Sequence, residues 1–168
     1  GGRRGTCGVG SNRINKVTIG ETVQALCNYL QEINIDKARV AIAFDSRLTS
    51  QEYADYCSKV LAGNGVESFV FDGPRATPEL SYIVREMNMD AGIVITASHN
   101  PSIDNGIKLY WSDGGQLVAP HDANILSHAE KITVITESDD IALVHSLGII
   151  EDEKYWKAAS QFLRSDNR

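Results

Sequence analysis

Three short apolar runs constrain this chain more than any other feature: Arg39–Phe44, Val66–Phe71 and Ala91–Ile95. Each is the length of a strand, and the stretches between them carry helical periodicity. Thr49 and Glu52 have capping-box spacing ahead of Tyr53, Tyr56, Cys57, Val60 and Leu61, which predicts a helix over about 50–64. Gly63 and Gly65 supply its stop. Thr77-Pro78 opens a further helix with proline in its first turn, and Leu80, Ile83, Val84 and Met87 face inward. Nearly continuous apolar strands alternating with amphipathic helices imply a sheet covered on both faces. The expected fold is α/β, three layers α/β/α, with a mixed, mostly parallel sheet.

The flanks are read the same way. Residues 1–15 hold five glycines without apolar periodicity and read as a loop. A first helix is expected over 18–34, with Thr18 as N-cap and Glu21 completing a capping box. After residues 96–106, Ile107–Trp111 and Gln116–Val118 flank the turn signal Ser112-Asp113-Gly114-Gly115, which predicts a hairpin. Helices are expected at about 121–131, a short one at 139–147, and from Glu151 to Leu163.

Composition limits the partners. The 168 residues carry a net charge of -6, unevenly placed. Residues 1–20 contain Arg3, Arg4, Arg13 and Lys16 and no acid, so the opening is +4 and the rest of the chain -10. An acidic body is a poor general binder of nucleic acid, whose affinity rests on phosphate neutralisation. The basic, glycine-rich opening suits either a small anion or a solvated surface. No apolar run approaches the ~20 residues of a membrane span. Cys7, Cys27 and Cys57 show no metal or redox spacing, and reduced thiols suggest a cytoplasmic protein.

Polar, small residues leave the third apolar run: Thr96-Ala97-Ser98-His99-Asn100-Pro101. Ligands of open α/β sheets bind beyond the carboxyl ends of strands. Serine, asparagine and proline are also ordinary turn formers, so composition alone favours a capped turn. A Ser98–His99 hydrolase is disfavoured, because neighbours in an extended segment do not face each other and the G-x-S-x-G elbow is absent. One imidazole, His99, is not a metal site.

The longer string AGIVITASHNPSIDNGIKLYWSDGGQ, residues 91–116, resembles the phosphoserine signature of the α-D-phosphohexomutase superfamily. Asp45-Ser46-Arg47 is similar to that family's D-[ST]-R loop, and Thr77-Pro78 to its TP motif. GGRRGTCGVGSNRIN resembles the opening of the long, phosphopentomutase-like phosphoglucomutase/phosphomannomutase branch, with Arg3 replacing the usual apolar residue.

The resemblance implies a mutase that interconverts hexose 1-phosphate and hexose 6-phosphate through a bisphosphate. It makes Ser98 the phosphoryl carrier and the magnesium contact through its phosphate. Lys108 becomes a proton-transfer or charge-stabilising residue, and Arg4 a stabiliser of the transferring phosphoryl. His99, Asn100, Arg13 and Arg47 become substrate-binding or loop-supporting residues. Mg²⁺ is the implied cofactor, a hexose bisphosphate the activator and a sugar phosphate the substrate. The family's metal, sugar and phosphate-clamp loops lie in three further domains, and none of those motifs occurs here. Residues 1–148 are therefore expected to be domain I, and 149–168 a connecting helix towards domain II. Such a fragment is expected to be inactive alone, to bind magnesium weakly, and to self-associate through surface that domain II would cover. The competing reading is a non-catalytic sugar-phosphate-binding or structural module.

Overall fold

The three apolar runs lie side by side at the centre of one sheet. A computed structural model describes residues 2–162. Among the described residues the order is β1 (Gly2–Thr6), α1 (Lys16–Glu32), β2 (Arg39–Phe44), α2 (Ser50–Gly63), β3 (Glu67–Phe71), α3 (Thr77–Glu86), β4 (Ala91–Ile95), β5 (Asp104–Trp111), α4 (His121–Ala129), β6 (Val144–Leu147) and α5 (Ile149–Ser160). The sheet order is β1-β5-β4-β2-β3-β6. β4, β2, β3 and β6 run parallel, while β5 is antiparallel to both β4 and β1. The mixed, mostly parallel α/β sheet is as expected.

Strand alternation divides the core between two faces. Val40, Ile42 and Phe44 of β2 pack with Val23, Leu26 and Leu61 of α1 and α2. Ala41 and Ala43 point the other way, against Leu80, Ile83 and Val84 of α3. Thus α1, α2 and α4 cover one face, and α3 with α5 the other. No helix among the described residues is long and apolar enough to cross a membrane.

Several local expectations change. The glycine-rich opening is not all loop, because Gly2–Thr6 forms an edge strand whose partner β5 lies about a hundred residues away. Helix α1 is capped by Asn15, not Thr18: Asn15 accepts from the Thr18 amide, and the Thr18 hydroxyl accepts from the Asn15 amide. Thr49 stands before α2 without capping it, since its hydroxyl accepts from Asn105 instead. The expected hairpin reduces to a single bridge between Tyr110 and Gln116, and β5 pairs with β1 and β4. The short helix expected within 139–147 is a 3-10 turn at Ile141–Leu143 followed by the edge strand β6. Helix α5 begins at Ile149, two residues early, because the Glu151 side chain caps the Gly148 amide. The end expected at Leu163 lies outside the described residues.

Candidate active site

From β2 the chain crosses by α2 to β3 on one side, then returns by α3 to β4 on the other. The carboxyl ends of β2 and β4 are therefore the point where strand order reverses, the usual ligand crevice of open α/β sheets. Asp45 follows β2 and Thr96 follows β4 at this point. Asp45 Oδ1 accepts from the Ser50 hydroxyl at 2.6 Å and the Arg47 amide at 3.1 Å. Its Oδ2 accepts from the Thr96 hydroxyl at 2.7 Å and Arg47 Nε at 3.1 Å. Burial pushes this carboxyl up, but the hydroxyls of Ser50 and Thr96 and the amide and guanidinium of Arg47 outweigh it, holding it below the ordinary carboxylate range.

The Thr96 oxygen in turn accepts from the Ser98 amide at 2.9 Å. Ser98 has a φ of +59°, a left-handed conformation that L-residues other than glycine adopt at a cost. Its side chain is exposed. His99 Nδ1 stands 3.5 Å from Ser98 Oγ, the outer edge of hydrogen-bond reach. Asn100 donates to Asp104 Oδ2 at 2.9 Å, and Thr6 of β1 donates to Asp104 Oδ1 at 3.0 Å, so both shape the loop. Arg47 spans the same loop, donating to the carbonyls of Ser98, Asn100, Pro101 and Asp104 at 2.7–3.0 Å.

Strand register brings the distant candidates alongside. Arg4 lies opposite Gly106, whose carbonyl accepts from the Thr96 amide. Lys108 lies opposite Val94 and Gly2. Paired residues share a face, so Arg4, Gly106 and Lys108 stand on one side of the sheet beside the serine loop. A Cβ at Gly106 would meet the Arg3 carbonyl at 2.5 Å and the Thr96 carbonyl at 2.9 Å, so glycine is what lets β1 and the end of β4 close on β5. Behind it, the fully buried Asn105 donates to Thr49 and Ser50 and accepts from the Gly106 amide. Sequence reasoning missed Asn105, Ser50, Thr96 and the hub role of Asp45. For Asp45 and Thr96 the available signal was a polar residue directly beyond a buried strand.

The +4 opening is half neutralised. Arg3 pairs with Glu21 at 2.8 Å and Lys16 with Glu52 at 2.9 Å. Arg4 and Arg13 are exposed and make no ion pair among the described residues. Arg4 sits by the serine loop through β1, and Arg13 lies in the turn before α1, where its carbonyl accepts from Thr18.

The residues present do not complete a magnesium site. Among the described residues no group of three or more His, Cys, Asp or Glu side chains is placed to hold a metal. The two nearby carboxylates are committed, Asp45 to Ser50, Thr96 and Arg47, and Asp104 to Thr6 and Asn100. A phosphate on Ser98 would supply one or two oxygens where magnesium takes six.

Fold and site together define a three-layer α/β domain with an exposed serine loop at its topological switch point. The model of phosphoglucomutase/phosphomannomutase α/β/α domain I matches residues 1–135, and the chain belongs to that family. It is 44% identical over 117 residues to a phosphoglucomutase of Staphylococcus saprophyticus, covering 70% of this chain and 21% of that protein. It is 36% identical over 138 residues to a phosphopentomutase of Mus musculus, covering 77% and 22%. A solved phosphomannomutase-family structure from Thermus thermophilus superposes with a TM-score of 0.83 at 26% identity, over 97% of this chain and 35% of that one. The chain thus spans about a fifth of the two curated relatives' lengths.

Proposed function

We propose that this chain is the serine-bearing domain of a sugar-phosphate mutase that interconverts hexose 1-phosphate and hexose 6-phosphate. The observation that carries the reading is the presentation of Ser98: an exposed hydroxyl on a left-handed residue at the switch point, with Arg4 and Lys108 on the adjoining sheet face. The names of the relatives support the mutase class.

In this reading the phosphoryl group on Ser98 passes to a hydroxyl of the bound sugar phosphate. The bond from phosphorus to Ser98 Oγ breaks, a bond to the sugar oxygen forms, and the hydroxyl proton leaves to a base. The resulting bisphosphate reverses its ends and returns its other phosphate to Ser98. Such transfers depend on alignment and charge stabilisation more than on covalent help. Arg4, always protonated, offsets charge on the equatorial oxygens. Lys108 approaches from the same face as a second cation or a proton carrier. Of the residues here, Ser98 through its phosphate would contact magnesium, and the ion would supply Lewis-acid stabilisation.

Residues 1–148 are read as the serine domain and 149–168 as its connection towards a further domain. Ile149, Ile150 and Trp156 are exposed on α5 and suit such a neighbour. The 168 residues alone are then inactive. The test is phosphate uptake from a hexose 1,6-bisphosphate by the full-length protein. One phosphate at Ser98, absent in Ser98→Ala, supports the reading; equal labelling of both overturns it. Robust turnover of glucose 1-phosphate by the 168-residue chain would overturn the inactivity.

A further inference from the structure

A cation beside a phosphoryl site is ordinarily suspected of gripping substrate, and Arg47 is such a cation. Its donors argue otherwise. A guanidinium has five N–H groups. Nε donates to Asp45 Oδ2, Nη1 to the carbonyls of Pro101 and Asp104, and Nη2 to those of Ser98 and Asn100. All five are spent within the chain, and the side chain is only 12% exposed. A sugar phosphate would have to displace these charge-assisted bonds to the four carbonyls and to Asp45.

Those contacts hold the peptide units around Ser98 on both sides. The Ser98 amide is held by the Thr96 hydroxyl oxygen and its carbonyl by Arg47 Nη2. The Thr96 hydroxyl proton goes to Asp45 Oδ2, the same oxygen that accepts Arg47 Nε. Both pins therefore converge on one carboxylate oxygen. The pins oppose a real tendency, because an L-residue other than glycine is strained at the φ of +59° that Ser98 adopts. Released, Ser98 would rotate to negative φ and carry its Cβ away from the crevice.

We propose that Asp45, acting through Arg47 and Thr96, is the positioning centre of the serine loop: none of the three touches the sugar, and together they set the direction of Ser98 Oγ. The proposal rests on the reading of Ser98 as phosphoryl carrier. It also assigns the Arg47 charge to cancelling Asp45 and gathering four carbonyls, which removes their negative ends from the path of an incoming phosphate.

The experiment uses the full-length protein with Arg47→Lys, Thr96→Val and Thr96→Ser, reading kcat and KM for the hexose phosphate, with amide exchange over residues 97–104. Lysine reaches one or two of the five acceptors, valine removes the Ser98 pin, and serine restores it. The expected result is a kcat loss of about tenfold or more for Arg47→Lys and Thr96→Val with KM within about threefold, recovery in Thr96→Ser, and faster exchange confined to the loop. A kcat within about twofold of the parent for both variants overturns the proposal. So does a tenfold rise in KM at unchanged kcat, which would make Arg47 a substrate contact. If Arg47→Lys does not fold, the Thr96 pair decides alone. Ser98→Ala separates the two readings: retained labelling there sinks the carrier role, while the exchange comparison still decides whether Arg47 and Thr96 fix the loop.

Discussion

Arg75 grips Asp152 with two parallel hydrogen bonds, Nε to Oδ1 at 2.6 Å and Nη2 to Oδ2 at 2.8 Å. This bidentate contact fastens α5 to the segment between β3 and α3. Arg75 also holds Asp72 at 3.0 Å, and its amide donates to the carbonyl of Phe44, the residue before Asp45. The attachment of α5 is thus built close to the Asp45–Arg47 pair. Glu79 lies beneath the grip, 5% exposed, with Oε1 4.0 Å from Arg75 Nε and, among the described residues, without a hydrogen-bond partner for that atom.

Asp152→Ala should loosen α5 while leaving the central sheet intact. Arg75 keeps Asp72 but loses its two shortest bonds, a loss on the order of 1–3 kcal/mol for partly buried charge-assisted contacts. Hydrogen exchange should accelerate over residues 149–160 and stay unchanged in β2 and β4. Uniform acceleration across the chain would contradict the local role.

Glu79 makes this attachment pH-dependent. Burial first, and then its contact with Asp152, raises the Glu79 carboxyl to about 7, while the hydrogen bond from Arg75 lowers that of Asp152. The groups facing Glu79 are Arg75 and Asp152, with Asp72 on the far side of Arg75. A raised folded-state value means the proton stabilises the fold. The contribution is complete below the ordinary Glu value and is lost as pH rises through about 7. Asp152 works in the opposite sense, and its contribution is lost in acid. Stability from the pair should therefore peak between these limits. Glu79→Gln should remove a loss on the order of 1–2 kcal/mol between pH 5 and 8. Urea unfolding at several pH values checks this, and parallel curves for variant and parent would refute it.

Gly106→Ala should be strongly destabilising, because the added carbon meets backbone carbonyls of Arg3 and Thr96 that no side-chain rotation can clear. About 2–4 kcal/mol is expected, or a fall in Tm of roughly 4–15 °C. Since β1 must move, the exchange protection of Gly5 and Cys7, whose amides face β5, should fall with it.

The thiols should divide cleanly by burial. Cys27 and Cys57 are buried, and burial pushes the Cys27 thiol up to about 12 and the Cys57 thiol up as well. Reactivity follows the thiolate, so neither should react with a disulfide reagent at neutral pH. Cys7 is partly exposed. One labelled thiol per folded chain is expected, with Cys7→Ser reducing it to none and denaturant raising the parent to three.

The elements that sequence reasoning places well are those whose reasons are local. β2 and β4 are buried on both faces and β3 in large part, so their own composition declares them. Helix α3 carries Thr77-Pro78 at its start and an apolar stripe behind. β1 escapes such a reading because Gly-Arg-Arg-Gly-Thr has no strand composition; only the backbone of β5 makes it one. β6 is likewise a four-residue edge strand that exists by pairing with β3. In the candidate site, Ser98, Arg4 and Lys108 can be singled out as candidates because they sit inside long, specific strings. Thr96 and Asp45 are not legible as a hub, because each is an unremarkable polar residue until β2 and β4 are neighbours.

The sequence by itself determined the α/β alternation, the serine loop after β4 and the family, all carried by spacing within a few tens of residues. The tertiary structure decided that Arg4 stands beside that loop, that Arg47 has no donor left for a substrate, and that one oxygen of Asp45 anchors both sides of Ser98. Those facts are hydrogen-bond geometries between segments about fifty to a hundred residues apart. They come into being only when sheet order brings the segments to within about 3 Å.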